Sequence, residues 1–436
     1  MELAAAQNVR TDPRPFGFWM TVALVMGNMI GSGVFLLPAS LAPFGALSLG
    51  GWFVSTAGSL LLAMVFARLA AVHAAAGGPY AYTRDAFGDL AGFVVAWGYW
   101  ISVWCANAAL AVAMVGYLGP FMPALVRNNA YSAGLAIAAV WLLTGINMRG
   151  IRTAGFVQLA TTVLKILPLV FVGIGGLFFL NGTHFAISDT SPGTVAHGVT
   201  ATATLTLWAF LGLECATIPA GAIRDAERTI PRATIVGTLL AGLIYVLSTI
   251  AVMGLVAPGV LAQTTAPFAD GARVLAGDAG AAIVSIGAAI SCFGALNGWI
   301  LIVGQLPLAV AEDGLFPSMF RRTSRAGTPQ VGLVVGAIAS TALIATNYTR
   351  GLVSLFTFVI LLSTLSTLVP YAFCSLAIFF IGRSRARRGA AGAQTVAALA
   401  FAYSLWAIAG AGAEVVYWGF LLLMSGLPVY VWVRRK

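Results

Sequence analysis

Two charged side chains lie inside apolar segments of this sequence, where an ionised group is costly. Lys165 is the only charged residue between Phe156 and Leu177, and the other lysine of the chain is the C-terminal Lys436. Glu214 lies in a second apolar segment. A lysine or an aspartate at the centre of a membrane helix costs roughly 2.5–3.5 kcal/mol on insertion scales, so such residues usually face an ion or proton pathway or a buried partner. Glu214 is therefore predicted to carry a proton or to join helices. The alternative is a carboxylate that only hydrogen-bonds unwound main chain.

The composition indicates a protein that lies largely within a membrane. Of the 436 residues, 60% are hydrophobic and 8% are charged, which is unlike a water-soluble globular domain. Apolar stretches of about 20 residues recur, and a helix of that length crosses a bilayer core of about 30 Å. The pattern predicts an all-α integral membrane protein with twelve transmembrane helices, near residues 17–38, 47–71, 90–119, 131–148, 155–180, 198–220, 234–256, 280–310, 330–347, 353–381, 392–412 and 414–433.

The basic residues lie mostly on one side of this predicted membrane protein. With the N-terminus in the cytoplasm, the loop lysines and arginines face the cytoplasm with three exceptions, Arg127, Arg273 and Arg350. Because an excess of basic residues marks cytoplasmic loops, both termini are predicted to be cytoplasmic. The net charge of +10 then reflects topology and contact with anionic lipid headgroups, and we expect no binding to nucleic acid.

Metal, cofactor and enzyme chemistry are not predicted. The four cysteines lie within predicted spans and form no CxxC pair, and the three histidines lie in or near loops without clustering. Buried cysteines of this kind usually pack as small apolar residues. The chain also lacks a phosphate-binding P-loop motif, so ATP-driven transport within this chain is not expected.

Glycines interrupt two predicted spans near their middle. In the first span, Gly27, Gly31 and Gly33 surround Ser32, and in the sixth span Gly212 lies at a comparable position. The two spans are five apart and run in opposite directions, a pattern typical of transporters built from inverted repeats. The alternative is that these glycines only kink the helices or let them pack closely.

An inverted repeat divides the chain into four parts. They are a cytoplasmic N-terminal segment 1–16, a first five-helix repeat 17–180, a second repeat 181–350, and a last part 351–436 that holds the final helices and a basic tail. The tenth helix, from about 353, completes the second repeat. Unwound main chain at mid-membrane depth is tolerated where it lines a cavity. Its free N–H groups suit a carboxylate and its free carbonyls suit an ammonium group, and an α-amino acid carries both.

Four further side chains at membrane depth are candidate ligands. Trp208 and Trp299 are mid-span aromatic residues, and a tryptophan face holds a desolvated cation with roughly 1–2 kcal/mol. Asn107 and Ser363 are neutral polar residues in the third and tenth spans. Helix packing is the alternative for the tryptophans. For the polar pair it is a hydrogen bond to a neighbouring helix, worth about 0.6 kcal/mol.

Several motifs carry a family resemblance. They are GSGVFLLPA at 31–39, GGPYAY at 77–82, TLWAFLGLE at 206–214, AEDGLFP at 311–317 and VPY at 369–371. Over nearly its whole length the chain resembles the amino acid–polyamine–organocation transporters, and most of all the arginine/agmatine type of basic amino acid and polyamine antiporter. The resemblance implies two inverted five-helix repeats of the LeuT type plus two C-terminal helices. It also implies a bacterial inner membrane location and often a homodimer.

The resemblance also implies roles for individual residues. Those that would bind an amino acid or amine come from the first, third, sixth, eighth and tenth spans: Met29, Ile30, Gly31, Ser32, Gly33, Ser102, Val103, Asn107, Leu110, Trp208, Ala209, Leu211, Trp299 and Ser363. The residues around Ser32 would meet the carboxylate, Met29 and the sixth span would hold the amino group, and Trp299 would stack on the distal cationic group. Gating and coupling to protons would fall to Lys165, Glu214, Tyr99 and Tyr371.

Departures from the arginine antiporters leave the substrate open. Ser102, Val103 and Leu110 replace a different set of pocket side chains, and Asn297 replaces a glycine. Those antiporters also lack a lysine at the position of Lys165. Other permeases of the superfamily carry one on the fifth helix, where the ammonium group occupies the place of the sodium ion of sodium-coupled relatives.

Three functions remain to be weighed. The preferred one is an antiporter of cationic amino acids or their amines that works by alternating access. The second is a proton-coupled or exchanging permease for neutral amino acids, which Lys165 and the apolar Val103 and Leu110 favour. The third is a non-transporting membrane sensor, which the lack of a soluble output domain disfavours. A channel would also cross the membrane, but it would need no breaks for alternating access.

Overall fold

The computed structural model describes residues 14–435 except 75, 123, 126–127, 188–190, 265, 326, 351, 382–389 and 411–412. Residues 1–13 of the predicted N-terminal segment 1–16, and the basic residue Arg127, lie outside the described residues. The α-helices are α1 Phe18–Met29, α2 Ser32–Leu41, α3 Leu47–Val72, α4 Pro79–Phe87, α5 Asp89–Leu118, α6 Asn129–Met148, α7 Ile151–Leu177, α8 Pro192–Leu207, α9 Ala226–Leu255, α10 Pro258–Leu261, α11 Pro267–Glu312, α12 Gln330–Arg350, α13 Leu352–Ile381, α14 Ala390–Gly410, α15 Ala413–Met424 and α16 Leu427–Arg434.

The helices are long and apolar enough to cross a bilayer many times. Eleven helical segments of the described residues meet that requirement by length and hydropathy. They coincide with the predicted spans apart from the ninth, where the apolar stretch Gln330–Thr346 of α12 is shorter than the others. Large apolar side chains such as Phe53 and Ile283 are more than half exposed on the outer surface, as expected of residues that face lipid. The chain is an all-helical, multi-pass integral membrane protein.

Both predicted interruptions are present. The first span is broken between α1 and α2, where Ile30 is extended (φ −79°, ψ 90°) and Gly31 is also non-helical. The sixth span is regular only as far as Leu207, at the end of α8. It then continues as short 3₁₀ turns, Trp208–Phe210, Cys215–Thr217 and Ala220–Ala222, with Gly212 at φ 107°. A residue with a side chain rarely adopts that φ, so Gly212 permits this turn.

The stretch before the eighth span is partly helical, and not only the polar loop that its sequence predicts. Residues 257–278 read as a polar loop, and the span is predicted from residue 280. The structure instead has the short helix α10 in that stretch, and α11 begins at Pro267. The 46-residue α11 is two helices that meet at Ala276 and Gly277, where Gly277 has φ 63°. A glycine in the left-handed region lets the chain turn there, so the polar stretch holds a helix in addition to the span.

The broken segments lie at the centre of the molecule. In the apolar window of α1–α2, 83% of residues are buried inside the protein, compared with 17% in the last span, Val416–Arg434. The half-helix α1 packs against α7, α9 and α11, and α11 packs along α5 and α7. Side chains of five different spans can therefore meet at the interruption in the first.

Candidate functional site

The end of α1 presents main-chain carbonyls that side chains satisfy. A helix leaves its last four carbonyls without helical partners and carries a partial negative charge at that end. Lys165, fully buried on α7, donates through Nζ to the carbonyls of Gly27 at 2.8 Å and Ile30 at 2.7 Å. Ser291 Oγ on α11 donates to the Ile30 carbonyl as well, at 3.2 Å. The intramembrane ammonium group therefore lies against the first break.

A small cavity adjoins this break on its other side. It has about 30 Å³ of open volume, room for only one or a few water molecules. The cavity is lined by Asn28, Met29, Gly31, Ser32, Gly33, Ala106, Leu110, Trp208, Leu211, Trp299, Ser363 and Thr367. Because an amino acid is larger than this space, its side-chain walls must move to admit one.

Nine of the fourteen predicted substrate-binding residues line the cavity, and five do not. The nine are Met29, Gly31, Ser32, Gly33, Leu110, Trp208, Leu211, Trp299 and Ser363. Sequence reasoning missed three other lining residues, Asn28, Ala106 and Thr367. Two of these follow from helical periodicity, since Ala106 lies one turn before Leu110 and Thr367 one turn after Ser363.

Ser102, Val103 and Asn107 lie on α5 behind the cavity wall. The Ser102 carbonyl accepts a hydrogen bond from Ser363 Oγ at 3.0 Å, and its hydroxyl accepts one from Thr367 Oγ1 at 3.3 Å. Val103 is fully buried. Asn107 is 1% exposed, and its Oδ1 has no hydrogen-bond partner among the described residues. Ser102 thus braces two side chains that line the cavity.

The other two residues outside the lining act through their carbonyls. The Ile30 carbonyl accepts hydrogen bonds from Lys165 and Ser291 at the first break. The Ala209 carbonyl, freed in the unwound sixth span, accepts one from Tyr245 Oη on α9 at 2.9 Å. Both residues therefore hold the shape of a broken segment.

Two tryptophans line the cavity. Trp299 Nε1 donates to the Asn28 carbonyl at 3.2 Å, another of the last carbonyls of α1. Trp208 lies against the start of α2, where a Cβ added to Gly33 would come within 2.7 Å of the indole Cδ1. Gly33 therefore lets Trp208 lie close to the main chain of α2.

Glu214 joins three spans beyond the cavity. It is fully buried and accepts hydrogen bonds from Tyr99 on α5 and Tyr371 on α13. The Gly212 N–H donates to the Tyr371 hydroxyl at 3.4 Å. In the part of the chain that the structure describes, no ion pair joins Glu214 or Lys165 to an opposite charge. Each intramembrane charge is therefore surrounded by neutral hydrogen-bonding groups.

A partly exposed cluster of charges lies beside α4. Arg84 pairs with Asp89 at 2.9 Å and with Asp313 at 2.8 Å, and Tyr80 Oη donates to Asp313 at 2.8 Å. Burial raises the pKa of Tyr80, and the hydrogen bond to Asp313 raises it further. Arg434 of α16 reaches Asp89 at 3.3 Å. The cluster joins three parts of the chain that are far apart in sequence, residues 80–89, Asp313 and Arg434.

The site offers no obvious metal ligands. Across the described ranges, no three histidine, cysteine, aspartate or glutamate side chains come together. The cavity instead combines main-chain helix ends, hydroxyl groups and tryptophan faces, which suit an organic zwitterion or cation.

Comparisons with known proteins agree with this chemistry. Residues 16–429 match the family model described as amino acid permease. The chain is 34% identical to the putative arginine/ornithine antiporter of Bacillus subtilis, over 97% of this chain and 98% of that one. It is 36% identical to the cadaverine/lysine antiporter of Escherichia coli K12, over 76% and 75%. It is also 31% identical to the putrescine transporter PotE of E. coli K12, over 93% of each chain. The resemblance drawn from the motifs is confirmed, and this chain belongs to the amino acid permease family.

Proposed function

We propose that the protein is a secondary antiporter of cationic amino acids and their amines. The observation that carries the proposal is the likeness, over most of the chain, to three relatives whose names specify arginine/ornithine, cadaverine/lysine and putrescine. The cavity supports it, because Trp208 and Trp299 offer two aromatic faces to a cationic group and no carboxylate lines the cavity among the described residues.

The substrate enters between the two broken spans. Its carboxylate meets the first turn of α2, where Ser32 and the free main-chain N–H groups favour an anion. The amino end lies toward the freed carbonyls near Met29 and the unwound segment around Ala209, and the distal cation stacks on Trp299. Since the cavity holds about 30 Å³, part of its lining moves when substrate binds, and we assign that movement to Trp208 as the gate.

The two buried charges couple transport to the shape of the broken spans. Lys165 holds the end of α1 through two carbonyls. Glu214 holds the sixth span to α5 and α13 through Tyr99 and Tyr371. A proton gained or lost at either group changes these hydrogen bonds, so each is a site where protons bias alternating access.

The remaining features of the proposal concern architecture and location. We infer two inverted five-helix repeats, 17–180 and 181 to the tenth helix, with the breaks in equivalent positions. The basic loops indicate cytoplasmic termini in a bacterial inner membrane and contact with anionic lipids. The last two spans are the least covered by the rest of the chain, at 22% and 17% buried, which suits lipid or a second copy in a homodimer.

The first test is ligand binding by the purified protein in detergent. A ligand that binds the folded state raises the unfolding temperature by mass action. We expect arginine, lysine, ornithine, agmatine, cadaverine or putrescine to raise it, and exchange of the stabilising compounds in proteoliposomes should follow. Trp299→Leu should weaken cationic substrates by about 1–2 kcal/mol, the worth of a desolvated cation–π contact.

Neutral amino acids provide the decisive contrast. Stabilisation by alanine, serine or leucine alone would overturn the cationic substrate and favour the neutral permease, which the apolar Leu110 in the cavity wall supports. An equal loss of neutral and cationic substrates in Trp299→Leu would exclude the stacking role. Flux that does not saturate would indicate a channel, and binding without any flux would indicate a sensor.

A further inference from the structure

Four buried amide side chains form one hydrogen-bonded chain that leads to the cavity, called here the amide chain. Asn147 Nδ2 donates to Asn297 Oδ1 at 3.1 Å, and Asn297 Nδ2 donates to Gln158 Oε1 at 3.1 Å. Gln158 Nε2 then donates to Asn28 Oδ1 at 3.4 Å. None of the four residues is more than 3% exposed. The amide chain crosses from α6 through α11 and α7 to α1, where Asn28 lines the cavity.

Two glycines provide the space that the amide chain occupies. A Cβ added to Gly298 would lie 1.7 Å from Asn28 Oδ1, and one added to Gly27 would lie 1.9 Å from Gln158 Nε2. Neither glycine has a positive φ, so the requirement is for space and not for an unusual main-chain conformation. Any side chain at either position would displace an amide group.

Main-chain carbonyls set the direction of the amide chain. Asn297 Nδ2 also donates to the Ala154 carbonyl at 3.0 Å, and a carbonyl can only accept a hydrogen bond. The nitrogen of Asn297 must therefore face Ala154 and Gln158. Gln158 then has to turn its oxygen toward Asn297, which leaves its nitrogen for Asn28. Gln158 Nε2 also donates to the Ala23 carbonyl at 3.5 Å, so Asn297 and that carbonyl together orient Gln158 and, through it, the Asn28 side chain.

The amide chain ends on the residue that orients Trp299. The Asn28 carbonyl accepts the hydrogen bond from Trp299 Nε1. Asn297 lies only two residues before Trp299 on α11, yet side chains two apart on a helix point in different directions. The hydrogen-bonded route from Asn297 to the indole therefore passes through Gln158 and Asn28.

We propose that Asn297 is a positioning residue for the cavity: it holds Gln158, Gln158 holds Asn28, and Asn28 sets the orientation of the Trp299 indole. Its consequence for selectivity rests on the proposed function, in which that indole faces a cationic substrate. The effect of Asn297 on the position of the indole does not rest on the proposed function. The position of the indole and the selectivity for substrate can therefore be tested separately.

The position of the indole is tested without substrate, by ¹⁹F NMR of the full chain labelled with 5-fluorotryptophan. The Trp299 resonance is assigned by its disappearance in Trp299→Phe. We expect it to shift or broaden in Asn297→Asp, which has nearly the same shape but no amide donor. Gln158→Glu, which loses the donor to Asn28, should have the same effect. Thr144→Val is the matched control, because Thr144 is likewise a buried polar residue, on α6 with Asn147, but bonds only to Val140 of its own helix.

Selectivity is tested by exchange kinetics with cationic substrates. Asn297→Asp should raise their KM about fivefold, the equivalent of one neutral hydrogen bond, with little change in turnover. In a Trp299→Leu background the same substitution should add nothing further, because the two residues act through one contact. A purely structural role would instead lower the unfolding temperature and leave KM unchanged.

The outcomes separate the two claims. An unchanged Trp299 resonance in Asn297→Asp, or in Gln158→Glu if the first variant does not fold, overturns the proposal. A shifted resonance in a wild-type protein that binds no cationic amino acid or amine would support the positioning role and overturn the proposed function. A shifted resonance with independent, additive effects on KM would refute the route through Trp299.

Discussion

Replacing Lys165 by methionine tests a basic side chain that is fully buried, as no other basic side chain among the described residues is. The substitution keeps an unbranched side chain of similar length and removes the ammonium group. It deletes two short hydrogen bonds, to the carbonyls of Gly27 and Ile30. The Ile30 carbonyl keeps a bond from Ser291 Oγ at 3.2 Å, so the Gly27 carbonyl is the one that loses its side-chain donor.

The structure sets the size of the expected effect. Leaving one buried carbonyl unpaired costs about 1–3 kcal/mol. Methionine offsets part of this, because it does not have to be desolvated as an ion. We therefore expect Lys165→Met to lower the free energy of unfolding by about 1–2 kcal/mol, the lower part of that range. Ser291→Ala is the matched control, since its bonds are longer and Lys165 still holds Ile30, and it should cost less than about 1 kcal/mol.

Two measurements on each variant separate stability from transport. The unfolding temperature in detergent reports the first, and exchange of a cationic substrate in proteoliposomes reports the second. We expect exchange to fall about tenfold, which corresponds to a loss of about 1.4 kcal/mol in the stability of the substrate-bound state when the end of α1 shifts. Lys165→Arg should not support wild-type exchange, because the larger guanidinium group has little space. Lys165 Cε already lies close to Gly294, 3.2 Å from the position that a Cβ on that glycine would take. Wild-type stability together with wild-type exchange in Lys165→Met would refute this reasoning.

Three further substitutions probe the gate, the carboxylate and the charge cluster. Gly33→Ala should raise the KM for cationic substrates about fivefold, the equivalent of one weak contact, because the added Cβ meets the Trp208 ring at 2.7 Å; exchange kinetics measure it. Glu214→Gln replaces an acceptor oxygen by a donor and should cost about 1–3 kcal/mol of stability, while the proposed proton dependence of exchange weakens. Arg84→Gln should cost less than about 1 kcal/mol, because the cluster is partly exposed, and should reduce the salt dependence of the unfolding temperature.

Each of these has its own contradictory result. Gly116→Ala adds a methyl group to α5 with nothing within 4 Å, so a KM increase there as large as in Gly33→Ala would exclude a specific effect on Trp208. Unaltered pH dependence of exchange in Glu214→Gln would remove Glu214 from proton coupling. A large stability loss in Arg84→Gln that salt does not alter would mean that packing, and not charge, holds the cluster.

Physical rules that act locally made several features predictable. The apolar runs predict the spans because a bilayer demands helices of a certain length. Gly31 and Gly212 predict the two interruptions, which the structure confirms. The cost of burying an ammonium group predicts a partner for Lys165, and the partners are the carbonyls freed at the first break. These predictions needed no knowledge of how the helices pack.

Other features depend on contacts between distant segments. The polar stretch 257–278 predicts a loop, yet the structure forms a helix from Pro267 and turns it at Gly277. No sequence pattern identified Asn28 as a cavity residue, because its carbonyl meets Trp299 only after α1 and α11 pack together. The amide chain likewise draws one side chain from each of four helices.

The chain's own chemistry thus specifies a membrane protein with two broken helices, two buried charges and aromatic residues at membrane depth, since each follows from hydropathy, glycine placement or the cost of charge in lipid. Helix packing alone specifies which of these groups meet. It places Lys165 on the carbonyls of α1, Glu214 between two tyrosines, and Ser102 behind the cavity wall. The reason is geometric: a hydrogen bond forms only within about 3.5 Å, and that distance is set by elements more than a hundred residues apart.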